Sequence, residues 1–216
     1  MCYIARMLSI LIANAKGGSG KTTLATNLAG GLARSGARVM LGDVDRQQSS
    51  SEWLRLRPAI LPRIGTWELV PDQPARPPRE TTHAVLDSPA GLHGKKLAHL
   101  VRMVDRVLVP LQPSLFDIIA TRNFLGQLME EKPVRHERAS VAIVGMRVDA
   151  RTRAAHELER ILESFRIPVL SYLRDTQTYV QAAAHGLTVF DLSPARADRE
   201  REQWQPILEW LDASGP

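Results

Sequence analysis

Two lysines five positions apart, glycines between them and three aspartates further on have the types and spacing for chemistry on a phosphate. The stretch reads Ala15-Lys16-Gly17-Gly18-Ser19-Gly20-Lys21-Thr22-Thr23. Glycines let backbone N–H groups curl around a phosphate, and a helix N-terminus adds partial positive charge. Lys21 stands where an ammonium reaches the β- and γ-phosphates of a nucleotide, and Thr22 where a hydroxyl meets Mg²⁺. The ordinary G-x-x-x-x-G-K-S/T pattern opens on Gly, whereas here Ala15 holds that place and Lys16 adds a second lysine. Only 5 of the 28 basic residues are lysine, so two of them in one loop point to use. An ammonium at the end of a buried strand calls for an anion.

The loop needs a strand before it and a helix after it. The apolar run Leu8 to Ala13 predicts a buried strand, and the apolar residues of Leu24 to Ala33 recur at helical spacing. The helix is expected from Lys21 to Ser35, with Gly36 as its stop. Ala37 to Asp43 predicts a second buried parallel strand, and Asp43 and Asp45 then stand at its carboxyl end, where ligands bind in open α/β sheets. The same two carboxylates also suit a turn.

The remaining pattern alternates in the same way. Ser49 to Glu52 offers helix caps before Trp53, predicting a short helix, and Ile64 to Val70 predicts an edge strand. Pro71 to Arg79 holds four prolines in eight residues and must be a connector. A strand ending at Asp87, a helix from Lys95 to Val104 and a strand from Arg106 to Pro110 follow. Asp117 is expected to cap a helix over Ile118–Glu130. Ser140 to Val148 reads as a strand, Arg151 to Phe165 as a helix and Pro168 to Leu173 as a last short strand. Helices over Thr176–His185 and Pro194–Leu211 close the chain, the second interrupted or bent by Pro206. These elements predict a three-layer α/β sandwich with a mostly parallel central sheet, one domain over residues 1–216. Met1 to Arg6 reads as an extension ahead of Met7.

With its extra lysine, the loop resembles the deviant Walker A motif, K-G-G-x-G-K-S/T, of the ParA/MinD family of P-loop ATPases. Val39 to Asp45 looks like that family's second strand, which ends in D-x-D. Ala84 to Gly91 looks like its Walker B strand and the following turn. The resemblance is strong over about the first 120 residues and loose beyond them. It implies ATP held by Lys16, Gly17, Gly18, Ser19, Gly20, Lys21, Thr22 and Thr23, with Arg147 near the adenine. It implies Mg²⁺ on Thr22 and, through water, on Asp87, with Asp43 an indirect support. Asp45 becomes the carboxylate that positions the attacking water, and Lys16 the group that reaches the nucleotide of a second copy. The run Leu111 to Asp117 resembles a proline-containing loop that helps form the nucleotide and dimer surfaces.

The resemblance implies an ATP-dependent homodimer that binds DNA without regard to sequence and is released by a ParB-like or cargo-borne partner. The expected setting is cytoplasmic, at the nucleoid. The short interval between Asp45 and Asp87 resembles small partition ATPases, a layout shared with carboxysome- and chemoreceptor-positioning relatives. Arg147, Arg151, Arg153 and Arg174 are the candidate DNA contacts.

Composition limits the rivals. No run of 18 apolar residues exists, the N-terminus lacks a signal-peptide pattern, and Cys2 is the only cysteine. A bridging-cysteine iron–sulfur reductase is therefore disfavoured, while a metabolic P-loop enzyme stays open. The six histidines have no metal-ligand spacing, and no serine is singled out as a nucleophile. The net charge of +5 suits an anionic partner, and residues 1–130 carry the excess. A MinD-like membrane-cycling ATPase would need a basic amphipathic C-terminal helix. The C-terminal run has Trp204 and Trp210 but acidic charge and Pro206, which favours docking on the core.

Overall fold

The computed structural model describes residues 7–45, 47–67, 77–149 and 167–213. Seven strands form one sheet: β1 (Leu8–Ile12), β2 (Val39–Asp43), β3 (Ile64–Gly65), β4 (His83–Asp87), β5 (Arg106–Leu111), β6 (Ser140–Met146) and β7 (Val169–Leu173). Their order is β3-β2-β4-β1-β5-β6-β7, and every pairing is parallel. The described helices are α1 (Lys21–Arg34), α2 (Ser49–Leu56), α3 (Gly94–Val101), α4 (Leu115–Glu130), α5 (Lys132–Arg135), α6 (Gln177–Ala183) and α7 (Pro194–Asp212).

The sheet is covered on both faces, which is why its strands read as unbroken apolar runs. Side chains alternate between the two cores. Leu11, Leu86, Val107 and Ile143 join Leu97 of α3 and Phe124 and Leu125 of α4. Ile10, Ile12, Val85 and Val144 join Leu24 and Leu28 of α1 and Trp204 of α7. The three layers and the parallel sheet agree with the sequence expectation.

Several boundaries differ from it. Among the described residues the edge strand spans Ile64–Gly65, and residues 68–76, including the end of the expected strand and most of the proline-rich stretch, lie outside the described set. Helix α4 starts three residues earlier than expected. Ser114, not Asp117, is its N-cap: the Ser114 Oγ accepts the Asp117 N–H at 3.2 Å. Asp117 sits in the first turn, where its charge complements the helix dipole. α7 runs unbroken through Pro206. Its apolar side faces the core, and the Trp204 indole donates to the Tyr179 hydroxyl at 3.0 Å. The expected helix over 151–165 and the extension 1–6 lie outside the described residues.

Candidate nucleotide site

The parallel register sets the floor of the site. Asp43 pairs beside Asp87, and Asp87 beside Ile12, so the carboxyl ends of β2, β4 and β1 lie level. β1 lies between β4 and β5, and the chain leaves it through the loop to α1. Gly18 and Gly20 have φ of 76° and 98°, a left-handed backbone that glycine adopts without strain. A Cβ on Gly20 would also meet Met146 Cε at 2.9 Å, so the loop rests on the end of β6. Gly20 is the N-cap of α1 and offers no side-chain acceptor, and the first turn carries no acidic residue. The free N–H groups of α1 therefore face the loop, where they suit an anion.

The two lysines point to different places. Lys21 is 8% exposed, and its Nζ donates to the Lys16 carbonyl at 2.9 Å. Burial lowers its pKa below the usual lysine value, while Asp87 and then Asp45 pull it back up. Lys16 is exposed. Its own N–H is held by Asn14 Oδ1 at 3.0 Å.

The carboxylates also divide. Asp43 is engaged by the protein: Oδ1 accepts from Asp45 N at 3.0 Å, and Oδ2 from Ser50 N, Ser50 Oγ and Ser51 N at 3.0, 2.8 and 3.0 Å. It thus anchors the first turn of α2 and the turn that carries Asp45. Asp45 is half-buried, and its Oδ1 accepts from Gln47 N at 3.0 Å. Asp87 is 2% exposed. Burial is the main reason its pKa is pushed up to about 7; the Thr22 hydroxyl opposes this, Asp43 adds to it, and Lys21 and Ser50 oppose it.

Three buried oxygens here lack a protein hydrogen-bond partner: Ser19 Oγ, Asp87 Oδ1 and Ser88 Oγ. A buried polar atom without a partner costs about 1–3 kcal/mol, so their concentration on the loop and the end of β4 fits a polar ligand or cation. Thr22 and Asp87 are the residues that would hold Mg²⁺, which supplies positive charge against a transferring phosphoryl group.

The structure brings Lys16 to Thr23, Asp43, Asp45 and Asp87 to one end of the sheet. Arg147 and Arg174 lie at the ends of the adjacent strands β6 and β7, further along that edge. Arg147 is exposed, with Asp175 4.0 Å away. Arg174 is less available, because its Nε donates to Glu200 Oε1 at 2.9 Å and Glu200 is buried. Arg151 and Arg153 lie outside the described residues. Sequence reasoning missed Asn14, the bonds of Ser50 to Asp43, and the role of Gln112, whose Nε2 donates to the Gly18 carbonyl at 2.5 Å. Gln112 falls in the proline-containing run, which was the only hint.

A parallel sheet with a glycine-rich loop, an inward lysine and a buried carboxylate on the neighbouring strand defines a P-loop nucleotide-binding protein. Residues 10–189 match the CobQ/CobB/MinD/ParA nucleotide binding domain. The chain belongs to this family. It is 28% identical over 211 residues to maintenance of carboxysome distribution protein A of Halothiobacillus neapolitanus, covering 94% of this chain and 95% of that protein. Its fold matches a putative plasmid partition protein of Borrelia burgdorferi bound to AMPPNP, with TM-score 0.75, 15% identity and coverage of 95% and 100%. It also matches the septum site-determining protein MinD of Pyrococcus horikoshii with Mg-ADP, with TM-score 0.71, 14% identity and coverage of 96% and 97%.

Proposed function

We propose that the chain hydrolyses ATP with Mg²⁺ as a nucleotide-joined homodimer that positions a cargo. The ATP-bound dimer holds DNA irrespective of sequence, and a cargo-borne partner protein triggers hydrolysis and release. The observation that carries this reading is the division of the two lysines. Lys21 is buried over its own loop, whereas Lys16 leaves the same loop exposed. An ammonium outside its own cradle has an anion to meet when a second loaded copy arrives. There it adds positive charge where phosphoryl transfer develops negative charge.

The other roles follow from position. Thr22 and Asp87 hold the metal side, and the N–H groups from Gly17 to Thr23 hold phosphate. Asp45 orients the attacking water, with its turn anchored through Asp43. The full-length likeness to a carboxysome distribution protein supports cargo positioning as the role. Arg147 is more exposed than Arg174 for phosphate contacts at that edge, and Arg151 and Arg153 follow it in sequence. The apolar side of α7 is taken up by the core, which argues against a membrane-cycling role for that helix.

The test measures nucleotide affinity by calorimetry and mass by light scattering, with ATP and with ADP. Lys21→Ala should lose tight MgATP binding. Lys16→Ala should keep most of it but lose ATP-dependent dimerisation, hydrolysis or both. DNA co-sedimentation should require ATP and weaken steeply with salt. A Lys16→Ala variant that dimerises and hydrolyses like the wild type would leave an ordinary monomeric P-loop enzyme as the better account.

A further inference from the structure

We infer that Asn14 is a positioning residue for Lys16: it ties the peptide of the outward lysine to α4 and so sets the direction in which that side chain leaves the loop. The inference rests on the ATPase reading above. Asn14 is fully buried between the end of β1 and the loop. Its Nδ2 donates to the Pro110 carbonyl at 2.8 Å and to Thr121 Oγ1 at 2.9 Å, which uses both amide hydrogens. Its Oδ1 accepts the Lys16 N–H at 3.0 Å. The next carbonyl, that of Lys16, accepts from Lys21 Nζ at 2.9 Å. The backbone of Lys16 is thus gripped on both sides of its Cα, by Asn14 and by Lys21.

That grip is built from distant parts of the chain. Pro110 is the penultimate residue of β5 and Thr121 lies in the second turn of α4, so one amide joins two elements to the lysine. Gln112, from the connection between β5 and α4, braces the same loop at Gly18. The Oδ1 contact closes an Asx turn on the Lys16 amide, and the bonds of the same side chain to Pro110 and Thr121 hold that turn in place. The consequence is specific. Removing Asn14 should loosen the aim of Lys16 while the phosphate cradle, made by Gly17 to Thr23, keeps its own N–H groups.

Four variants and one combination test this: Asn14→Ala, Thr121→Val, Thr121→Ser, Lys16→Ala and Asn14→Ala/Lys16→Ala. Each is read for MgATP affinity by calorimetry and for steady-state phosphate release. Loss of three neutral hydrogen bonds should lower kcat about tenfold in Asn14→Ala. MgATP affinity should stay within about threefold of wild type, because the cradle's own contacts remain. Asn14→Ala should lower turnover no further when Lys16 is already alanine. Thr121→Val should lower turnover in the same direction, and Thr121→Ser, which keeps the hydroxyl, should restore it.

Effects that multiply in the double variant would overturn the inference, since a merely structural asparagine acts independently of Lys16. Equal losses in affinity and turnover would overturn it as well. Normal turnover by Lys16→Ala would overturn both the inference and the ATPase reading of Lys16, a result distinct from the first two. Where Asn14→Ala melts without cooperativity, the Thr121 pair decides by the same comparison with Lys16→Ala.

Discussion

Replacing Asp87 by Asn should stabilise the nucleotide-free protein above neutral pH while removing its response to magnesium nucleotide. The Asp87 carboxyl is 2% exposed at the end of β4. Burial above all lifts its pKa from 3.8 to about 7, with Thr22, Lys21 and Ser50 opposing and Asp43 reinforcing. Between those two pH values the folded chain holds a proton that the unfolded chain has released. Stability contributed by this group is therefore full below about pH 4, declines as pH rises, and is gone above about pH 7. At 1.36 kcal/mol per pKa unit, the full loss is about 4 kcal/mol. Asparagine is close in shape and does not titrate, so it escapes this loss.

Urea unfolding followed by circular dichroism in EDTA, at pH values from 4 to 8, measures the effect. The variant minus wild-type stability should rise by about 4 kcal/mol across that window, the other carboxylates cancelling in the difference. Magnesium nucleotide at about 100 times its Kd should then add about 2.7 kcal/mol to the wild type and much less to the variant. A difference that is flat with pH, or that grows in favour of the wild type, would refute the reasoning.

Asp45→Ala should bind MgATP and dimerise, yet release phosphate about a hundredfold more slowly or worse; turnover near that of the wild type would remove Asp45 from the water-positioning role. Arg57→Met should cost about 3–5 kcal/mol, because it strips the partner from a buried carboxylate. Arg57 Nη1 lies 2.9 Å from Asp191 Oδ2, both side chains are buried, and chemical denaturation measures the loss. Burial pushes the Asp191 pKa up, but hydrogen bonds from Arg57 and Thr188 outweigh it and hold the group below 3.8. That pair's contribution should accordingly be full above about pH 4 and be lost as pH falls further. Gly30→Ala should destabilise by about 1–3 kcal/mol, since the new Cβ would overlap Thr188 Cγ2 where α1 meets the segment before α7. An unchanged thermal midpoint would show that the contact yields freely.

The sequence by itself determined the parts whose causes are local. An apolar run, glycines and Lys-Thr opening a helix are contiguous, so the loop, Lys21 and Thr22 were legible without any tertiary contact. Strands buried on both faces carry continuous apolar runs, which located Asp43 and Asp87 at strand ends. Tertiary structure alone decided what these residues touch. Asn14 meets its partners 96 and 107 residues along the chain, Gln112 meets Gly18 across 94, and Arg174 meets Glu200 across 26. No periodicity encodes such pairings; they arise from strand order and register. The same is true of Asp87: its type is written in the sequence, but its raised pKa comes from the layers that close over it. Ser114 displaced Asp117 as the cap of α4, because the chain leaving β5 turns into the helix earlier than the apolar spacing implies. Burial and long-range hydrogen bonding are collective properties of the packed sheet, and a one-dimensional pattern carries them only where neighbours in space are neighbours in the chain.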